Sequence, residues 1–148
     1  MSFTVKQLQH FSDTLELDFD EELLEKLHAA GELTTPVEFF ELIAPQLKDH
    51  GVSTGPRIVS GLNKRRKQPL DRVLIALGID EDIATALSAE GAELDDVRNF
   101  AVDEIANRAK LPSPAARKVL AQLEALAPVF DGLDGELQIS AAKKAKKK

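Results

Sequence analysis

The stretch GVSTGPRIVSGLNKRRK, Gly51 to Lys67, decides the fold. Proline in a helix's first turn wastes no hydrogen bond, because that N–H has no intrahelical partner. Gly55-Pro56 therefore marks a helix start, and Ile58, Val59 and Leu62 follow at helical spacing. Four cations, Lys64-Arg65-Arg66-Lys67, close the segment. The reading is a helix over 55–66.

Working upstream, apolar residues recur three and four apart: Val5, Leu8 and Phe11, then Leu23, Leu24 and Leu27. Thr35-Pro36-Val37-Glu38 supplies a capping threonine, a proline at the first helical position and a glutamate to return the hydrogen bond. Asp18 with Glu21 offers a similar box before ELLEKLHAAG, and Gly31 ends that helix. These signals predict helices near 4–14, 20–29, 36–42 and 43–49. No window sustains the alternation of a strand.

Downstream the series repeats. Pro69 starts a helix through Leu77, and DEDIATALSAEG, ELDDVRNF, VDEIANRA and SPAARKVLAQLEALA follow. A shift of about 60 residues places Leu23 on Ile83, Leu27 on Leu87, Gly31 on Gly91, Val37 on Val97 and Phe40 on Phe100. One deletion later, Val52 falls on Leu111 and Thr54-Gly55-Pro56 on Ser113-Pro114-Ala115. The order of matches points to a duplicated five-helix unit, with its core at Leu23, Leu27, Phe40, Leu47, Ile58 and Leu62, then Leu87, Val97, Phe100, Ile105, Val119 and Leu123. The expected architecture is all-α: one five-helix unit over 1–67, a second over 68–130, and a disordered Lys-rich tail over 131–148.

Composition narrows the function. The 148 residues hold no cysteine, which excludes disulfides and thiolate metal sites and fits a reducing compartment. No apolar run approaches the roughly 18–20 residues that span a bilayer, and MSFTVKQLQH lacks the apolar core of a signal peptide, so the expected location is intracellular, cytoplasmic or nuclear. Net charge is −6, distributed as −7 over 1–63, +4 over 64–72, −8 over 73–139 and +5 over 140–148. Two acidic bodies thus flank a basic link, and a basic tail follows.

No catalytic constellation is legible. His10, His28 and His50 stand far apart and read as helix-surface residues, and GVSTGPR lacks the Gly-Lys-Ser/Thr ending of a phosphate loop. The expectation is a protein that is not an enzyme, with no cofactor, metal or small-molecule substrate.

Five short helices in about 60 residues, closing in Leu47, Gly51-Val52, Gly55-Pro56-Arg57 and an apolar-periodic helix, resemble the sterile alpha motif (SAM) domain. In the second half LDDVRNFAVDEI resembles the family's central segment, while Pro114 replaces the glycine. The tryptophan common in the family's first helix is absent. The resemblance implies tandem SAM-like bundles that work as an adaptor or self-associating scaffold. Its basic "end-helix" face would be Gly55, Pro56, Arg57, Lys64, Arg65, Arg66 and Lys67. The acidic "mid-loop" face would be Glu90, Glu93, Asp95, Asp96, Asp103 and Glu104, or Glu32, Glu38, Glu41 and Asp49 in the first unit.

The residues support the pairing physically. A helix N-terminus carries about half a positive charge, Arg57 adds a full one, and an acidic partner would be well received. The alternative is RNA or DNA binding through Arg57 and Lys64–Lys67. Against it, Ser53 and Thr54 interrupt the tight Gly-apolar-Gly turn of a helix-hairpin-helix, and the chain has no Tyr or Trp for stacking. KRRK and KKAKKK also read as nuclear import signals.

Overall fold

A computed structural model describes residues 3–17 and 19–140, apart from the side chain of Ser140. The chain is mostly helical, with 68% helix, eleven helices among the described residues and little strand. In the first half lie α1 (Val5–Leu15), α2 (Glu21–Ala29), a 3-10 helix (Pro36–Glu41), α3 (Ala44–Asp49) and α4 (Gly55–Lys64). A short strand β1 (Lys67–Pro69) leads into α5 (Leu70–Ala76), α6 (Glu81–Leu87), α7 (Leu94–Arg98), α8 (Val102–Ala109) and α9 (Ser113–Ala125). Helix α10 (Ala127–Glu136) and strand β2 (Gln138–Ser140) complete the described chain. None of the described helices is long and apolar enough to cross a membrane.

Local chemistry accounts for most of the boundaries. Thr4 and Gln7 form a reciprocal capping box on α1, with bonds of 2.8 and 3.1 Å. The Glu38 carboxylate accepts from the Thr35 N–H at 3.3 Å at the start of the 3-10 helix. Helix α2 is capped by Asp20, whose carboxylate accepts from the Leu23 N–H at 2.8 Å. That corrects the assignment to Asp18, which lies outside the described residues. Gly31 (φ +76°) ends α2, its N–H donating to His28 O while the Glu32 N–H donates to Leu27 O, both at 3.0 Å. Gly91, 60 residues further on, is also left-handed, with φ +77°.

Helices α1 and α5 pack together, as do α1 with α2 and α5 with α6; α3 packs on α4, and α8 on α9. One hydrophobic core runs through both halves, from Phe3 to Leu137. Four of its phenylalanines pack ring to ring: Phe11 stacks on Phe39 at 5.6 Å and meets Phe40 edge-on at 6.5 Å, and Phe19 meets Phe39 edge-on at 4.9 Å. All the expected core positions are buried except Ile58 and Phe100, which are half-buried and pack against the core.

The main departure is at the end of the chain. Residues 131–140, expected in the disordered tail, form the last part of α10 and β2. Leu133 and Leu137 are buried from this segment, beside Val129 and Phe130 earlier in α10, and α10 packs back onto the 3-10 helix. Strand β2 then pairs in parallel with β1, in the register Lys67 to Gln138, Gln68 to Ile139 and Pro69 to Ser140. Tail residues 141–148 lie outside the described residues.

Candidate functional site

The turn between α3 and α4 explains the glycine at position 55. Gly55 is buried, and a Cβ there would lie 3.0 Å from Ala44 O and 3.3 Å from Leu47 Cβ. The close backbone approach that a glycine permits is used inside the molecule. Pro56 beside it is exposed and lines an apolar cavity of about 680 Å³ with Ala44, Pro45, Lys48 and Val52. Ile43, immediately before α3, is 54% exposed and stands out among the described large apolar side chains. The sequence reading missed this groove, although Pro45 and Val52 bracket the signal.

Arg57 is exposed, yet it belongs to a different cavity of about 400 Å³ that also holds Asp20, Glu22, Lys26 and His50. Cations and anions are mixed there, so Arg57 is partly offset by its surroundings. The four cations after α4 divide again. Arg66 is half-buried and committed to the fold. It donates to Glu136 O and Oε1, both at 2.7 Å, to Phe40 O at 3.0 Å and to Asn63 Oδ1 at 3.0 Å. Its guanidinium also lies over the Phe40 ring at 5.4 Å.

Lys64, Arg65 and Lys67 line a third cavity, of about 520 Å³, together with Arg72 and Glu16. Of the expected basic face, Pro56, Arg57 and the group Lys64, Arg65 and Lys67 line three different cavities, while Gly55 and Arg66 are used inside the fold. Arg72, already counted in the +4 of residues 64–72, joins the other three from the first turn of α5.

The acidic residues lie on consecutive segments. Glu90 is in the α6–α7 connection, Glu93, Asp95 and Asp96 are at the start of α7, and Asp103 and Glu104 are on α8. Asp96 accepts the Glu93 N–H at 2.9 Å and so serves as a cap. Glu104 is paired with Arg108 at 2.6 Å, and that guanidinium covers Phe100 at 4.6 Å. Glu90, Glu93, Asp95 and Asp103 are exposed. In the first half, Glu32 bonds His50 at 3.2 Å and Glu38 is used in capping. Glu41 and Asp49 are exposed.

The histidines act as stitches. His10 Nε2 donates to Ile75 O at 2.8 Å, tying α1 to α5, and His28 Nε2 donates to Phe3 O at 2.9 Å. Among the described residues, no group of three or more His, Asp or Glu side chains is placed to hold a metal ion. No protein-family model matches the chain, and a search of curated proteins gave no significant match.

Proposed function

We propose that the protein is a non-enzymatic helical interaction module, built from two SAM-like units over 1–67 and 68–130, that self-associates. The α3–α4 corner of one copy would receive the acidic α6–α8 corner of another. The observation that carries this reading is the apolar groove of Ala44, Pro45, Val52 and Pro56 beside the exposed Ile43. Exposed apolar surface in a cleft marks interaction sites more often than isolated apolar residues do. Lys48 and Arg57 rim this corner, while Glu90, Glu93, Asp95 and Asp103 offer uncommitted carboxylates of opposite sign.

The tandem reading is supported by the paired order of the helices, by the matched left-handed glycines 31 and 91, and by the packing of the two first helices, α1 and α5, on each other. Superposing 4–66 on 69–127 tests it; agreement no better than between unrelated bundles would remove it. Head-to-tail contact between unlike faces does not close on itself, so the expected products are short chains.

Exposed ion pairs contribute only about 0–1 kcal/mol each, so the apolar centre must supply most of an affinity near 8 kcal/mol, roughly micromolar. Ile43 occupies the N-cap of α3, where aspartate is a better cap than isoleucine. Ile43→Asp should therefore leave the melting temperature unchanged or raised, while weakening association about tenfold, or 1.4 kcal/mol. Sedimentation from dilute to concentrated protein is the measurement. A wild type that stays monomeric throughout, or an Ile43→Asp variant that associates equally well, would sink the proposal.

A further inference from the structure

We propose that the basic cavity at the C-terminal end of α1 binds the phosphate backbone of a double-stranded nucleic acid without reading its sequence. Lys64, Arg65, Lys67 and Arg72 line it, and Glu16 is the acidic residue among its walls. Asp71 stands next to Arg72 in the chain, and its carboxylate accepts the Arg72 backbone N–H at 2.9 Å.

Two of the cations are fixed in place without being neutralised. Arg65 Nε donates to Glu16 O at 2.7 Å, and an Arg72 terminal nitrogen donates to Thr14 O at 3.2 Å. Both partners are backbone carbonyls at the end of α1, a helix with no basic residue in its last turn. A helix C-terminus offers about half a negative charge, so two full positive charges leave an excess. Arg66, one residue away, shows the contrast: its partner Glu136 is a carboxylate. Each guanidinium has five donors, so Arg65 and Arg72 keep donors for a ligand after positioning their charge.

A single small anion needs only two or three donors. Four cations drawn from the end of α4, β1 and α5 suit a polymer of phosphates. No aromatic side chain lines the cavity, so unpaired bases would find no stacking platform. A duplex, whose bases already stack on each other, fits better. The whole molecule carries −6 and repels such a polymer at long range, so attachment rests on short-range pairing.

The test is fluorescence anisotropy of the full-length protein with a labelled DNA duplex of mixed sequence across a salt series. Lys64 and Lys67 are exposed, and replacing them alters no charge that anchors the fold. Lys64→Gln with Lys67→Gln should weaken binding about tenfold at low salt and flatten the log–log salt slope by about 2, at roughly 0.9 for each phosphate no longer neutralised. Arg117→Gln with Lys118→Gln, exposed on α9, removes the same charge elsewhere and should change affinity less than about threefold. Scrambling the duplex sequence should change nothing.

Equal losses in the two double variants would overturn the proposal, because net charge alone would then govern binding. Capture by phosphatidylserine vesicles without binding to the duplex would overturn it in favour of a lipid surface. Binding abolished by converting all five lysines of 141–148 to Gln, yet untouched by the Lys64 and Lys67 changes, would remove the cavity from the account.

Discussion

Gly55 sits where α4 leaves α3, and its missing side chain is a condition of that turn. A methyl group there would press on Ala44 O at 3.0 Å, a backbone atom that cannot rotate aside. Gly55→Ala is expected to cost about 1–3 kcal/mol through overpacking, even though alanine is the better helix former by up to about 1 kcal/mol. Urea melts would measure it, and an equally stable or more stable variant would contradict the packing. The neighbouring Pro56 and Arg57 show how differently adjacent residues can be used: one lines an apolar groove, the other a mixed-charge cavity. Type and spacing revealed the helix start. They did not reveal that Arg66 would be consumed by Phe40 and Glu136, since those partners lie 26 and 70 residues away in the chain.

Helix α10 shows how a polar-looking segment becomes structural. The run Asp131-Gly132-Leu133-Asp134-Gly135 has the acids and glycines of a loop, yet Leu133 falls on one face with Val129, Phe130 and Leu137. Gly132 marks a close approach to the 3-10 helix: a Cβ would lie 2.6 and 2.9 Å from the two methyls of Val37. Arginines hold the helix at its middle and its C-terminal end, Arg98 to Asp131 at 2.6 Å and Arg66 to Glu136 at 2.7 Å. Gly132→Ala is expected to destabilise by about 1–3 kcal/mol. Adding Val37→Ala should recover part of that loss, because it removes the methyls that clash. A double variant whose loss merely adds the two single losses would show that the two residues do not touch.

Across the molecule, the halves share one core, and unfolding should therefore be cooperative. Leu27 of α2 and Leu87 of α6, which the shift of about 60 residues aligns in sequence, are both fully buried. Leu27→Ala or Leu87→Ala should each cost about 2–5 kcal/mol. Units of about 60 residues are marginal alone, and α1 on α5, α10 on the 3-10 helix and β1 on β2 bind the halves together. Each variant should therefore lower the midpoint of a single transition. Circular dichroism and fluorescence of an introduced probe in each half would check this. Two transitions, with only one displaced by each substitution, would mean that the halves unfold separately.

The helical class, the approximate boundaries from α1 to α9 and most of the core positions named in advance could be read from the chain, because periodicity, proline starts and caps are local. Thr4 finds Gln7, Asp20 finds the Leu23 N–H and Gly31 ends α2, all within a few residues. The same chain hid what depends on distant pairing. Three-residue strands carry no alternation to recognise, so β1 and β2 exist only because α10 delivers the Gln138 N–H to within 2.7 Å of Arg66 O. The cation block KRRK was visible as charge, but its division was not: the Glu16 carbonyl at the end of α1 holds Arg65, Glu136 and Phe40 take Arg66, and Lys64 and Lys67 stay exposed. Local sequence sets where backbone hydrogen bonds start and stop. Which charges remain available to a partner is settled by what folding brings beside them.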